Sequence, residues 1–200
     1  MTERERDLER FLTFVDAIVA IAITLLVLPL VEVGAEIGKG SVLELLVAHG
    51  IDLLGFLLSF TVIARLWLAQ HHIVRSLVRQ NRLVVQLLLA WTLTIVFLPF
   101  PTALVVGTSD DSVAKLLYIG TMALSSGLLA VLGWAIGRDR TLRDDDARPD
   151  SLSAAATTVA FLLALVISVA FPVLGYWPLL LLVLADPIVD RVRRRTPVRA

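Results

Sequence analysis

Residues 10–30 read RFLTFVDAIVAIAITLLVLPL. The run is apolar enough and, at about 20 residues, long enough to cross a hydrocarbon core of about 30 Å. Asp16 nevertheless stands within its first turns, where an unpaired charge at membrane depth costs about 2.5–3.5 kcal/mol. At 100° per residue, Ile21, Leu25 and Leu28 fall within about 60° of one another, and Asp16 lies about 140° from Ile21. One helix therefore carries an aliphatic stripe on one side and an acid that needs a partner on another.

The rest of the chain is as apolar as this segment. Of 200 residues, 58% are hydrophobic and the mean hydropathy is +0.85, against roughly 45–50% apolar residues in a soluble domain. A chain this short cannot hide so much apolar surface inside itself, so lipid must cover it. Apolar runs predict six helices at about 11–33, 47–70, 81–106, 113–137, 152–171 and 174–190, forming a single all-α transmembrane domain over 1–200. The last two are shorter and interrupted by Pro172, Gly175 and Pro178, which leaves a single re-entrant hairpin as the alternative to two spans. No repeat relates the two halves, so the inverted-repeat pattern of many transporters is missing.

Charge placement orients the spans. Arg4, Arg6 and Arg10, then Arg75, Arg79 and Arg82, then Arg138, Arg140, Arg143 and Arg148, and finally Arg191, Arg193, Arg194, Arg195 and Arg199 collect on one side. The other side holds only Lys39 and Lys115, with Arg65 inside helix 2. The positive-inside rule puts both termini in the cytoplasm of a multi-pass cell-membrane protein, and an even number of spans follows. The tail RVRRR (191–195) is suited to anionic lipid. The opening MTERERDLER lacks the architecture of a secretory signal, so helix 1 is expected to stay in the mature protein.

Glu32, Glu36 and Glu44 in the first outward loop, with Asp110 and Asp111 in the second, have two readings. Ringing a pore mouth, they would concentrate cations. As local structure, SDDS (109–112) is a helix N-terminal signal. The partners open to Asp16 at its depth are Arg10, Arg65, His71, His72, Asn81, Arg82 and Trp91, of which Arg10 with a histidine makes the simplest network. His71 and His72 are adjacent, pointing about 100° apart on a helix, so no i, i+4 ligand pair suggests a metal. The chain has no cysteine, which excludes disulfides and thiolate sites. No nucleophile–base set, glycine-rich phosphate loop or zinc motif is present, and the net charge is zero. Neither an enzyme nor a nucleic-acid binder is expected, and no cofactor.

The stretch RFLTFVDAIVAIAITLLVLPL resembles the signature R-x-x-x-F-S-D-G-x-x-A-I-x-x-T-L-L-x-L of the transmembrane protein 175 family of lysosomal and bacterial potassium channels. WLAQHH (67–72) and LPFPTAL (98–104) extend the likeness. Val15 and Ala17 replace the signature serine and glycine, and Pro29 stands where an acidic or polar residue is expected. The resemblance implies a homotetramer, permeant potassium and other monovalent cations, and a central pore lined by helix 1. It places the constriction on Ile21, Leu25 and Leu28, flanked by Thr24, which is the stripe already found from spacing. No TVGYG filter occurs, so a ring of that kind cannot supply selectivity. The competing expectation is a proton-coupled transporter using Asp16, Asp52 and Asp186, with a structural membrane subunit as the third.

Overall fold

A computed structural model describes residues 3–35, 41–107 and 111–142. The expected helices at 152–171 and 174–190, Glu36, Lys39, Asp110, Asp186 and the arginines from Arg143 onward lie outside the described residues. Within them the chain is helical: α1 (Glu3–Leu25), α2 (Leu28–Ala35), α3 (Val42–Ala48), α4 (Gly50–Val74), α5 (Arg82–Phe97), α6 (Pro99–Gly107) and α7 (Ser112–Arg138). These compose four segments long and apolar enough to cross a membrane, Arg6–Ala35, Gly50–Val74, Arg82–Val105 and Ser112–Arg138. The described residues are those of a mostly helical, multi-pass membrane protein.

Two expected single helices are broken, each at proline. The first run divides at Leu26–Val27, just before Pro29, and the third divides at Leu98, between Phe97 and Pro99. Proline has no N–H and its ring crowds the preceding turn, so neither helix can continue undisturbed. At its other end α1 begins at Glu3, well before the apolar run, because ERERDLER is made of good helix formers.

Local chemistry sets the remaining ends. The Asn81 side chain accepts from Val84 N at 2.8 Å and caps α5. Asp111 accepts from Val113 N at 2.7 Å and caps α7. Ser41 and Glu44 form a reciprocal capping box on α3.

The bundle centres on α7, where 56% of the apolar window is buried, against 22% in the first span. Its principal partner is α5; α4 and α6 also pack on it, while α1 rests on α5 and α4. Ser125, Ser126 and Gly133 are among the buried positions of α7, and small side chains of this kind let membrane helices approach closely. Lys115, expected at the outer surface, is only 1% exposed in the first turn of α7. The Leu142 carbonyl accepts from the amides of Val78 (2.8 Å) and Arg79 (3.3 Å), joining the segment after α7 to the α4–α5 loop. Asp139 shapes that segment, and bonds from the Thr141 hydroxyl and then its amide hold the carboxyl below the usual carboxylate range.

A buried hydroxyl cluster ties three elements together. Ser59 Oγ of α4 lies 2.8 Å from Tyr118 Oη of α7. The Thr102 hydroxyl of α6 lies 3.2 Å from Ser59 Oγ and donates to the Leu98 carbonyl at 2.8 Å. Interhelical bonds of this type contribute about 0.6 kcal/mol on average and up to about 1.7 kcal/mol in membranes. Ser59→Ala removes the shared centre and should lower the unfolding temperature of purified protein, whereas exposed Thr61→Ala should leave it near wild type. Equal melting of the two variants would remove this role from the cluster.

Candidate functional site: the outward face of helix 1

Helix α1 carries two apolar stripes about 120° apart at 100° per residue, the second running on into α2. Val15, Val19, Ala22 and Leu26 recur every three or four residues and are buried against the bundle. Ile21, Leu25 and Leu28, by contrast, are 59%, 40% and 52% exposed, with Phe14 exposed below them and Val31 above. The chain satisfies its own core through the first set and leaves the second to another surface. Thr24 is exposed, and its hydroxyl donates back to the Ile21 carbonyl at 2.7 Å.

At the end of this stripe the hydrogen-bond ladder fails. Leu26 N and Val27 N reach back only three residues, to the carbonyls of Ile23 and Thr24, both at 3.3 Å. Leu30 N and Val31 N then both donate to Val27 O, at 3.0 and 3.1 Å. The carbonyls of Leu25 and Leu26 receive none of these bonds. For Leu25 the reason is direct: its helical donor would be residue 29, a proline.

Asp16 is half-buried, and its Oδ1 accepts from Trp67 Nε1 of α4 at 2.8 Å. The expected partners are placed otherwise. No hydrogen bond joins Asp16 to Arg10, His71, His72 or Trp91 among the described residues. His72 Nδ1 donates to the Leu68 carbonyl of its own helix (2.6 Å), and His71 lies beside the Trp67 ring with centroids 5.8 Å apart. Trp91 is fully buried in the bundle, and its Nε1 has no partner among the described residues. Trp67 was legible in principle. An indole N–H is donor-only and seeks an acceptor when buried, and Asp16 is an acceptor of the right kind at the same depth.

Asp16 also borders a cleft of about 400 Å³ at the N-terminal half of α1, together with Leu8, Glu9, Leu12, Thr13, Leu77 and Val78. Of the acids expected at the outer mouth, Asp111 is a helix cap and Glu44 belongs to the capping box, while Glu32 is exposed on α2. Asp52, weighed as a proton carrier, accepts from His49 Nδ1 at 2.7 Å where α3 meets α4.

Comparison with known proteins adds two findings. Residues 10–99 match the family described as endosomal/lysosomal potassium channel TMEM175, a stretch running from α1 into the start of α6. The chain is also 29% identical over 154 residues to a protein of Streptomyces collinus named as a potassium channel, covering 75% of this chain and 73% of that relative.

Proposed function

We propose, from the match of residues 10–99 to the TMEM175 potassium-channel family, that the chain is a potassium-permeable cation channel whose pore is lined by α1 and its continuation into α2. Four copies assemble around the axis, with Ile21, Leu25 and Leu28 as the aliphatic constriction and Thr24 beside it. Each subunit crosses the membrane six times with both termini in the cytoplasm. No cofactor is required beyond the permeant ion.

The observation that carries this reading is the second stripe of α1. Large aliphatic side chains stand exposed about 120° around the helix from a complete core-facing stripe, on the segment with the strongest family likeness. Lipid could cover such a face, but lipid alone does not require the recurrent positions of the family signature. The Streptomyces collinus relative, named as a potassium channel, supports the same activity.

A neck of aliphatic side chains offers no ligand to a bare ion, so it passes cations that keep most of their water and resists those that hold water in a larger rigid shell. Sodium binds its hydration water more strongly than potassium, which gives modest preference for potassium and allows closure by dewetting. Glu32, with Glu36, Asp110 and Asp111, would raise cation concentration at the outer mouth.

Purified protein in a planar bilayer should give steady single-channel currents whose reversal potential under opposed potassium and sodium is displaced from zero toward the potassium equilibrium potential. Solute-coupled proton flux without channel events would instead favour the transporter built on Asp16, Asp52 and Asp186.

A further inference from the structure

We infer that the Leu25 carbonyls, freed by Pro29, form a ring of oxygen ligands for a partly dehydrated monovalent cation inside the aliphatic neck. The inference rests on the proposal that α1 lines the pore.

An unpaired carbonyl at membrane depth is unfavourable by several kcal/mol in contact with lipid. Irregular backbone persists there only where protein covers it or where it faces a water-bearing path. At the α1–α2 break the Leu25 and Leu26 carbonyls lack helical donors. The nearest side-chain hydroxyl, that of Thr24, is already committed to Ile21 O.

The two residues differ in setting. The Leu26 side chain is buried against the bundle, whereas that of Leu25 belongs to the exposed stripe. Water or a cation on the stripe side can therefore supply what residue 29 does not. Helical carbonyls point toward the C-terminus, so this oxygen lies between the levels of Leu25 and Leu28, which are about 4.5 Å apart along an ideal helix. Above and below it the side chains of Ile21 and Leu28 are wholly apolar.

Neutral carbonyls form a weak-field site. Such a site replaces a few waters of an easily dehydrated cation and compensates sodium less well, so its effect falls on the ranking of potassium, rubidium, caesium and sodium.

Pro29→Ala returns an N–H to position 29 and lets it bond Leu25 O, with no change in any stripe side chain. In bi-ionic recordings its potassium-to-sodium permeability ratio should shift by about twofold or more. Gly34→Ala alters helix propensity in the same α2, and a Cβ there meets nothing within 4 Å; it should keep wild-type ratios. Replacing Leu26 by its α-hydroxy analogue turns the Leu25 carbonyl into an ester carbonyl, a weaker acceptor. That variant should shift the ratios as well, and it decides the matter if Pro29→Ala does not assemble.

Wild-type ratios in the assembled ester variant, or in Pro29→Ala, overturn the oxygen site. Ile21→Asn separates the two levels. If it alters conductance while the backbone variants are silent, only the oxygen site falls; if it too is silent, the helix 1 pore falls with it.

Discussion

Ile21→Asn is expected to raise unitary conductance by roughly three- to tenfold, equivalent to lowering the permeation barrier by about 0.7–1.4 kcal/mol. Ile21 is the most exposed member of the stripe, so the substitution leaves no cavity in the core and folding should survive. What changes is the wall. An amide offers donors and acceptors to water where the sec-butyl side chain of isoleucine offers none, and a dry neck becomes a wet one. Hydrated sodium then passes more readily, and the reversal potential under opposed potassium and sodium should move toward zero. Leu28→Asn should act in the same direction. A correctly assembled Ile21→Asn protein with wild-type conductance and reversal potential would place the ion path elsewhere.

The second large effect concerns Asp16 and Trp67. Their 2.8 Å bond joins α1 to α4, and hydrogen bonds to a charged group contribute about 1.5–3 kcal/mol. Trp67→Phe keeps an aromatic ring beside His71 but leaves a half-buried carboxylate without its donor. Asp16→Ala leaves the indole without its acceptor. Both should lower thermal stability and, because α1 carries the proposed subunit contact, the fraction of assembled protein on size exclusion.

Asp16→Asn is the informative variant. Its side-chain oxygen can still accept from Trp67, so it should lose roughly half the effect of Asp16→Ala or less, about 1 kcal/mol. Were a cation such as Arg10 the true partner, removing the charge would be as damaging as removing the whole side chain. Equal instability of Asp16→Asn and Asp16→Ala would therefore count against the indole bond, and wild-type behaviour of Trp67→Phe would do so independently.

Much of this arrangement is legible from local pattern. Apolar runs locate all four spans seen among the described residues, and SDDS announces the cap that Asp111 makes on α7. The spacing of Ile21, Leu25 and Leu28 puts them on one stripe before any partner is known. Even the interruption of the first span has its cause in one residue, Pro29, although apolar content alone reads through it as continuous helix. Each of these features depends on groups within about one turn of one another, and a linear chain specifies such groups directly.

Other features needed the packed bundle. Asp16 could have met Arg10 or a histidine; the indole of Trp67 reaches it instead, while Trp91 turns into the core. Lys115, which charge placement assigns to the outer surface, is buried. Ser59, Thr102 and Tyr118 share hydroxyl contacts across three helices with no common motif. Composition and periodicity determined that this chain is a membrane-spanning helical protein, which faces its helices own, and where proline interrupts them. Which residue meets which across those faces was decided by rotation and vertical offset of one helix against the next. A one-residue shift turns a side chain through 100° and moves it 1.5 Å, so partners at long range are chosen only when close packing selects a single register.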